Sequence, residues 1–129
     1  MKVTRIINNN VVAAVDDYNQ ELVLMGSGIG FKKKIGDLVD PDTVEKQFAR
    51  FDEQQTLNFQ RLAQEVPYEY MHMTNEIVAY AQISLNKELN EEIYISLMDH
   101  LNFAINRTKQ GIYLPNSMLW EIKHYYNHE

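Results

Sequence analysis

The sequence predicts an α+β protein: a small antiparallel β-sheet over residues 1–55, followed by an all-α helical bundle over residues 56–129. Short β-branched runs separated by polar turns fill the first 25 residues. From about residue 52, apolar residues recur every three or four positions instead. Four of the five glycines fall between these two patterns, in residues 26–36, where they predict turns.

Three strands are predicted for the sheet. Residues 2–7 and 11–16 are β-branched runs on either side of three asparagines, which tolerate the left-handed conformation and therefore predict a hairpin turn. Residues 21–25 predict the third strand. Because so small a sheet buries little apolar surface and leaves edges to cover, we expect it to self-associate.

The segment after the glycines has two interpretations. Asp40 followed by Pro41 is typical of a helix start, with aspartate as the N-cap and proline in the first turn. Alternation within residues 45–51 also allows a strand. The residues alone leave both alternatives open.

Four helices are predicted in the second region. The first ends at Pro67 and the second near residues 86–87; the third runs from Asn90, as its N-cap, to Gly111, and the fourth follows residues 115–116. Their apolar faces are predicted in order as Leu57, Leu62 and Val66; Met71, Ile77, Val78, Ala81 and Leu85; Ile93, Leu97, Leu101, Ala104 and Ile105; and Leu119, Ile122 and Tyr126.

Composition excludes several classes of protein. The chain has no cysteine, so disulfides and thiolate zinc sites are excluded. No apolar run approaches the roughly 18 residues of a membrane span, and no signal-peptide core follows the N-terminus, so we expect a cytoplasmic protein. The net charge of −6 argues against general polyanion binding. Since residues 1–55 hold seven of the twelve lysines and arginines, any nucleic-acid contact must be a local patch.

Residues 25–34 carry the strongest binding signal. Alternate glycines would let backbone N–H groups approach a phosphate or base edge, Phe31 offers a stacking face, and the lysines that follow it supply charge. This combination suits looped or single-stranded RNA. The glycine spacing excludes the dinucleotide-binding loop and the P-loop. A tight turn between strands with solvated lysines would explain the same residues.

His100 lies on the apolar stripe of the predicted third helix, beside Asp99 and two turns before Arg107. Histidine at such a position is more often a packed core residue than a reactive imidazole. Arg107 lies roughly 10 Å further along the helix axis, so it would have to extend back to meet a phosphoryl group on His100. His124 and His128 are spaced i, i+4 but lack a third ligand. The sequence predicts no metal, no cofactor and no enzyme active site.

Two parts of the chain, in the same order, resemble the BglG/SacY-type transcriptional antiterminators. The first part is similar to their co-antiterminator RNA-binding domain, and the second to the start of their first PTS regulation domain. The resemblance covers nearly the whole chain and implies a fragment or truncated product of that family, with the helical bundle cut short. The residues that carry it are 2–11, 21–26, Gly28, 31–33 and 36–37 in the first part, and 96–105, Arg107 and 119–121 in the second.

The resemblance implies a dimeric sheet that binds a leader RNA hairpin and prevents a terminator from forming upstream of sugar-utilisation genes. By position it implies hydrogen bonding to RNA by Asn10, close backbone approach at Gly26, stacking by Phe31 and a nearby cation at Arg5. It also makes residues 45–51 a strand. The predicted RNA-binding residues are Arg5, Asn10, Gly26, Ser27, Gly28, Phe31, Lys32 and Lys33.

Ser27 departs from the family, which often has a basic residue at this position of the loop. A serine can still bond a phosphate, but it lacks the charge and the planar fork of arginine. RNA affinity or target choice is therefore expected to differ.

The resemblance makes His100 the predicted site of phosphorylation by phosphotransferase-system proteins. A phosphoryl group would add about −1.5 to −2 charges beside Asp99, enough to repel across a symmetric interface or to recruit Arg107. The prediction is an RNA-binding antiterminator regulated by histidine phosphorylation. The alternative, favoured by Ser27 and the negative net charge, is a protein-interaction or phosphoacceptor module that does not bind RNA.

Overall fold

The computed structural model describes residues 1–109. They form a four-stranded antiparallel sheet and three α-helices, which confirms the predicted α+β class. The chain divides into two compact units, Met1–Tyr68 and the residues from Glu69 onward. The predicted fourth helix, the Gly111 helix stop and the pair His124 and His128 lie outside the described residues.

The four strands follow one another across the sheet in chain order. They are β1 (Lys2–Asn8), β2 (Val11–Val15), β3 (Glu21–Met25) and β4 (Lys46–Phe48), and every neighbouring pair is antiparallel. The three strands predicted from β-branched runs are therefore confirmed, and β3 has the predicted bounds.

Strand side chains alternate between the two faces of the sheet, and each face packs against a buried cluster. On one face, Phe48 packs against Phe51 and Phe59, with ring centroids 4.7 and 5.0 Å away. Phe59 belongs to α1 (Glu53–Glu65), so this aromatic cluster joins that helix to β4. A second buried cluster comprises Val3, Val12, Ala14, Leu22, Leu24, Ile29 and Val39.

The chain itself covers part of the outer edge of β1. The Val3 N–H donates to the Asp37 carbonyl at 2.9 Å, and the Val3 carbonyl accepts from the Gly36 N–H at 2.7 Å. The Val39 N–H donates to the Met1 carbonyl at 2.9 Å. Since these bonds occupy backbone groups that an open edge would present to another chain, this edge depends less on self-association than the sequence predicts.

The strand interpretation of the segment after the glycines is confirmed in part, and of the alternative helix only the predicted start, capped by Asp40, forms. Asp40 caps a single 3₁₀ turn, Pro41–Thr43, and its side chain accepts from a backbone N–H two residues on at 3.0 Å. The chain then extends into β4, which confirms the centre of the predicted strand. A capping box follows, in which Asp52 and Gln55 exchange side-chain to backbone bonds of 2.7 and 2.9 Å and begin α1.

Two predicted helix faces are partly wrong. Leu85, expected on the apolar side of the second helix, is exposed at the end of that helix. Leu57 was expected on the apolar side of α1, but it is exposed, whereas Phe59, Leu62 and Ala63 are buried. The aromatic cluster sets the rotation of α1, because it turns Phe59 inward. The spacing of leucines alone did not contain that information.

The remaining helices are α2 (Tyr68–Leu85) and α3 (Glu92–Lys109). Asn86 adopts the left-handed conformation, φ 52°, directly after α2, and this ends the helix where predicted. The Asn90 side chain accepts from the backbone N–H at the start of α3 at 2.9 Å, which confirms its capping role. No helix of residues 1–109 has the length and apolar character needed to cross a membrane.

Candidate nucleic-acid interface

The glycine loop after β3 folds back onto the β1–β2 turn, and Asn10 holds it there. The Asn10 backbone carbonyl accepts from the Gly26 N–H at 2.9 Å, and its side-chain Oδ1 accepts from the Gly28 N–H at 3.0 Å. The Asn9 carbonyl accepts from the Gly30 N–H at 2.8 Å. Asn9 and Asn10 of the hairpin turn therefore hold the glycine loop in place by accepting its backbone hydrogen bonds.

The backbone N–H groups of Gly26 and of residues 28–31 are donated within the chain. The Ile29 N–H bonds the Gly26 carbonyl and the Phe31 N–H bonds the Gly28 carbonyl, both at 3.1 Å. The prediction that the loop N–H groups would be available to a phosphate or base edge is therefore wrong for these five groups in this conformation, since the loop already uses them.

Glycine is needed at each of three loop positions, for different physical reasons. A Cβ on Gly26 would lie 1.7 Å from the Thr43 carbonyl oxygen, and one on Gly30 would lie 2.4 Å from the Asn8 carbonyl oxygen. Gly28 has open space around it but a φ of +74°, which favours glycine. Gly26 is thus required for close approach to Thr43 of its own chain, and its approach to RNA stays a prediction.

Phe31 and the residues around it form the exposed part of the loop. The Phe31 side chain is 55% exposed, and the Lys32 Nζ lies 5.4 Å from its ring centroid, within cation–π range. Lys32 adopts the left-handed conformation, φ 57°. The Lys33 Nζ is 3.4 Å from the Leu38 carbonyl oxygen. Ser27 is exposed. The ring and the cations that the sequence predicted as one patch are adjacent and accessible.

Arg5 is engaged elsewhere. With the Gln60 amide oriented so that its oxygen faces Arg5, that oxygen accepts from the Arg5 Nε at 3.2 Å and from Nη2 at 3.1 Å. Arg5 also lines a groove of about 450 Å³ together with residues of β3, β4 and α1. The structure thus joins Asn10, Gly28 and Phe31 through successive hydrogen bonds, but it places Arg5 against α1.

Tyr68 is a residue of this region that sequence reasoning missed. Its hydroxyl donates to the Glu45 Oε1 at 2.8 Å. Burial and the Glu45 carboxylate raise the pKa of Tyr68 well above its ordinary value of 10, whereas the Ser27 N–H lowers it. The phenol is therefore protonated at neutral pH and donates to Glu45. No local pattern could indicate this contact, because 23 residues separate the two side chains.

In the second unit, His100 is half-buried on α3, and its neighbour Asp99 is exposed. The Arg107 guanidinium lies over the ring of Phe103, with Cζ 5.4 Å from the centroid. Arg107 therefore packs on the residue one turn before it, rather than extending back two turns to His100. Within residues 1–109, no group of histidine and carboxylate side chains is arranged to hold a metal ion.

Two family models match the chain. The model described as CAT RNA binding domain matches residues 1–56, and the model described as PRD domain matches residues 75–129. Fold and comparison together define the class: a CAT RNA-binding domain followed by PRD sequence.

Comparison with individual proteins agrees with these family matches. The chain is 43% identical to the transcription antiterminator LicT of Bacillus subtilis and 40% identical to the beta-glucoside operon antiterminator of Dickeya chrysanthemi, in each case over all 129 residues. It spans 47% and 46% of their lengths, about half. The crystal structure of GlcT CAT-PRDI aligns with a TM-score of 0.71 and 29% identity, covering 98% of this chain and 84% of that one. The chain belongs to the BglG/SacY-type family of antiterminators.

Proposed function

We propose that this chain is an RNA-binding transcriptional antiterminator whose first unit binds a leader RNA hairpin and keeps a terminator from forming. The observation that carries the proposal is the exposed Phe31 ring, flanked by Lys32 and Lys33, on a loop fixed by its own hydrogen bonds. This loop lies in the segment that matches the CAT RNA binding domain. The relatives named as antiterminators support the same function.

The chemistry of the loop suits unpaired bases next to phosphates. Stacking of a base on an aromatic ring contributes about 1–3 kcal/mol, and Phe31 offers such a ring at the surface. Lys32 and Lys33 supply cations for the adjoining phosphates, and the exposed Ser27 supplies a hydroxyl. Since the N–H groups of Gly26 and residues 28–31 already have partners, the loop loses little conformational freedom when RNA binds.

Asn10 has two functions in this proposal. Its Oδ1 is occupied by the Gly28 N–H, which fixes the loop. Its side-chain amide nitrogen remains a donor for a base edge or a backbone oxygen of the RNA. The RNA contact therefore depends on a side chain whose orientation the loop itself determines.

We infer that the RNA-binding form is a cytoplasmic homodimer. Ile35 and Leu38, on the segment beside β1, are 74% and 67% exposed, and large exposed apolar side chains of this kind favour association. A second protomer would also double the number of cations near the RNA. Sedimentation equilibrium of the chain, with and without RNA, tests this, and a monomer in both conditions would contradict it.

We propose that His100 accepts a phosphoryl group from phosphotransferase-system proteins and that this group regulates RNA binding. Its half-buried position on α3 leaves part of the imidazole accessible, and the exposed Asp99 adds negative charge nearby. Acceptance would be stoichiometric, so the chain is not proposed to be an enzyme. An acid-labile label that His100→Ala removes and His72→Ala retains would support the site. His72 is the matched control because it lies half-exposed on another helix, paired with Glu76.

RNA binding is tested by fluorescence anisotropy with two labelled RNAs. One is a hairpin with internal loops from the leader upstream of the gene for this chain, and the other is an unstructured RNA of the same composition. Two to four lysine–phosphate contacts predict a slope of about −2 to −4 in log K against log salt. We expect strong preference for the hairpin at both of two salt concentrations.

Equal affinity for both RNAs, or no binding to either, would contradict the proposal. Phosphorylation at His100 without any RNA binding would instead favour the phosphoacceptor module. The net charge of −6 and the uncharged Ser27 are the observations that keep this second function under test.

A further inference from the structure

The Asn8 side chain joins two segments of the first unit that are far apart in sequence. Its Nδ2 donates to the Ala63 carbonyl of α1 at 2.9 Å, and its Oδ1 accepts from the Asn10 backbone N–H at 2.8 Å. Asn8 is the last residue of β1, and 55 positions separate it from Ala63. One amide is thus bonded both to a helix and to the β1–β2 turn.

The Ala63 carbonyl is available to Asn8 because of where α1 ends. A helix carbonyl normally accepts from the backbone N–H four residues on. The Leu62 carbonyl does so, since the Val66 N–H donates to it at 2.8 Å. For Ala63 the residue four positions on is Pro67, which has no N–H. The Asn8 amide therefore takes the place of the donor that the proline lacks.

This end of α1 is firmly attached to the sheet. The Ala63 side chain is buried, and Phe59, one turn earlier, packs on Phe48 of β4 with ring centroids 5.0 Å apart. The acceptor of the Asn8 amide is therefore fixed from the helix side. Ala63 also lies beyond residue 56, where the match to the CAT RNA binding domain ends.

From Asn8 the hydrogen bonds continue into the glycine loop. Asn10, whose N–H is held by Asn8, accepts from the Gly26 N–H at 2.9 Å and from the Gly28 N–H at 3.0 Å. The loop also lies against the Asn8 backbone, because a Cβ on Gly30 would be 2.4 Å from the Asn8 carbonyl oxygen. Successive contacts thus lead from α1 through Asn8 to the candidate RNA-binding loop.

We propose that Asn8 is a positioning residue for the candidate RNA-binding loop: its amide ties the β1–β2 turn to the Ala63 carbonyl, so the loop geometry depends on the C-terminal end of α1. The inference deepens the proposed RNA-binding function and rests on it. It gives α1 a part in RNA affinity without any contact between that helix and RNA.

The test uses the full chain and the variant Asn8→Ser. A serine hydroxyl can still accept from the backbone N–H two residues on, but it is too short to reach Ala63. Asn58→Ser is the matched control, because it makes the same substitution on α1 itself. There the Asn58 side chain accepts from Gln54 of the same helix at 3.4 Å.

Three quantities are measured for each variant: affinity for the leader hairpin, amide hydrogen exchange of the Gly28 N–H without RNA, and the thermal unfolding midpoint. Loss of one hydrogen bond predicts about 3- to 10-fold weaker hairpin binding for Asn8→Ser, with faster exchange at Gly28. Asn8→Ala loses both bonds and should change affinity and exchange further. Asn58→Ser should match the wild type in both.

Wild-type hairpin affinity for Asn8→Ser would overturn the inference. Weaker binding with unchanged Gly28 exchange would also overturn it, because that result indicates a direct contact between Asn8 and RNA. A merely structural amide would lower the unfolding midpoint and leave the affinity and exchange of the folded protein unchanged. If the wild type binds no hairpin, the proposed function has failed, and Gly28 exchange still tests whether Asn8 positions the loop. If the wild type binds and Asn8→Ser binds equally well, only the inference has failed.

Discussion

Phe31 and Phe103 are a natural pair for comparison, because their local chemistry is nearly the same. The side chains are 55% and 60% exposed, and each has a cation 5.4 Å from its ring centroid, Lys32 over Phe31 and Arg107 over Phe103. Phe31 lies on a loop in which the N–H groups of Gly26 and residues 28–31 are used internally, whereas Phe103 lies on the surface of α3. An exposed ring beside a cation therefore does not by itself define a nucleic-acid site.

The backbone makes the difference between the two rings. The Phe31 backbone is fixed through Gly28 to Asn10, so the position from which its ring extends follows from contacts with the β1–β2 turn. Phe103 takes its direction from the regular helix and has a neighbour at i+4, an arrangement that recurs on many helix surfaces. We infer that Phe31 contacts RNA because its loop is preorganised, and not because of its residue type alone.

The largest expected effect comes from breaking the backbone support of Phe31. Gly26→Ala places a Cβ against the Thr43 carbonyl, so the backbone must move, and we expect about 3 kcal/mol lower stability. Asn106→Ala, an exposed change on the helix that carries Phe103, should alter stability by less than about 0.5 kcal/mol. Urea unfolding measures both. Equal stabilities of the two variants would show that Thr43 does not constrain the loop.

The next effect separates the two functions proposed for Asn10. Asn10→Ala removes the acceptor of the Gly28 N–H, and we expect about 10-fold weaker hairpin binding together with a loss of about 1 kcal/mol in stability. Asn10→Asp keeps an acceptor oxygen but replaces the amide donor by a negative charge. Asn10→Asp should retain wild-type stability but bind RNA more weakly than the wild type does. Wild-type RNA affinity for Asn10→Asp would contradict a direct contact by this residue.

The smallest effect concerns the cations beside Phe31. Lys33→Ala should weaken hairpin binding about 3-fold and make the salt slope shallower by about 1 for each protomer bound, because one phosphate contact is lost. Lys87→Ala, at an exposed position after α2, should change neither quantity. The slope is measured by anisotropy over a range of salt concentrations. An unchanged slope for Lys33→Ala would remove that lysine from the interface.

The sequence predicted the features that depend on neighbouring residues. Short-range patterns were sufficient for β3, for the asparagine turn and for the capping by Asn90 and Asp40. The exposure of Phe31 also agreed with the prediction, because a glycine-rich loop leaves a large ring little to pack against.

The features that the sequence did not reveal depend on distant contacts. Gly26 was identified as a close-approach glycine, but its neighbour is Thr43, which only the folded chain brings near. The engagement of Arg5 with Gln60 and of Tyr68 with Glu45 likewise joins segments with no shared pattern. The assignment of His100 rests on family resemblance, since its position on α3 is compatible with an ordinary half-buried histidine.

The most direct test of the account compares Phe31→Ala with Phe103→Ala in affinity for the leader hairpin, using unphosphorylated protein. If the preorganised loop contacts unpaired bases, Phe31→Ala binds about 10- to 100-fold more weakly, and Phe103→Ala binds as the wild type does. Both variants should unfold close to the wild-type midpoint, because both rings are more than half exposed. Equal losses from the two variants, or no loss from Phe31→Ala, would contradict the assignment of RNA binding to the loop.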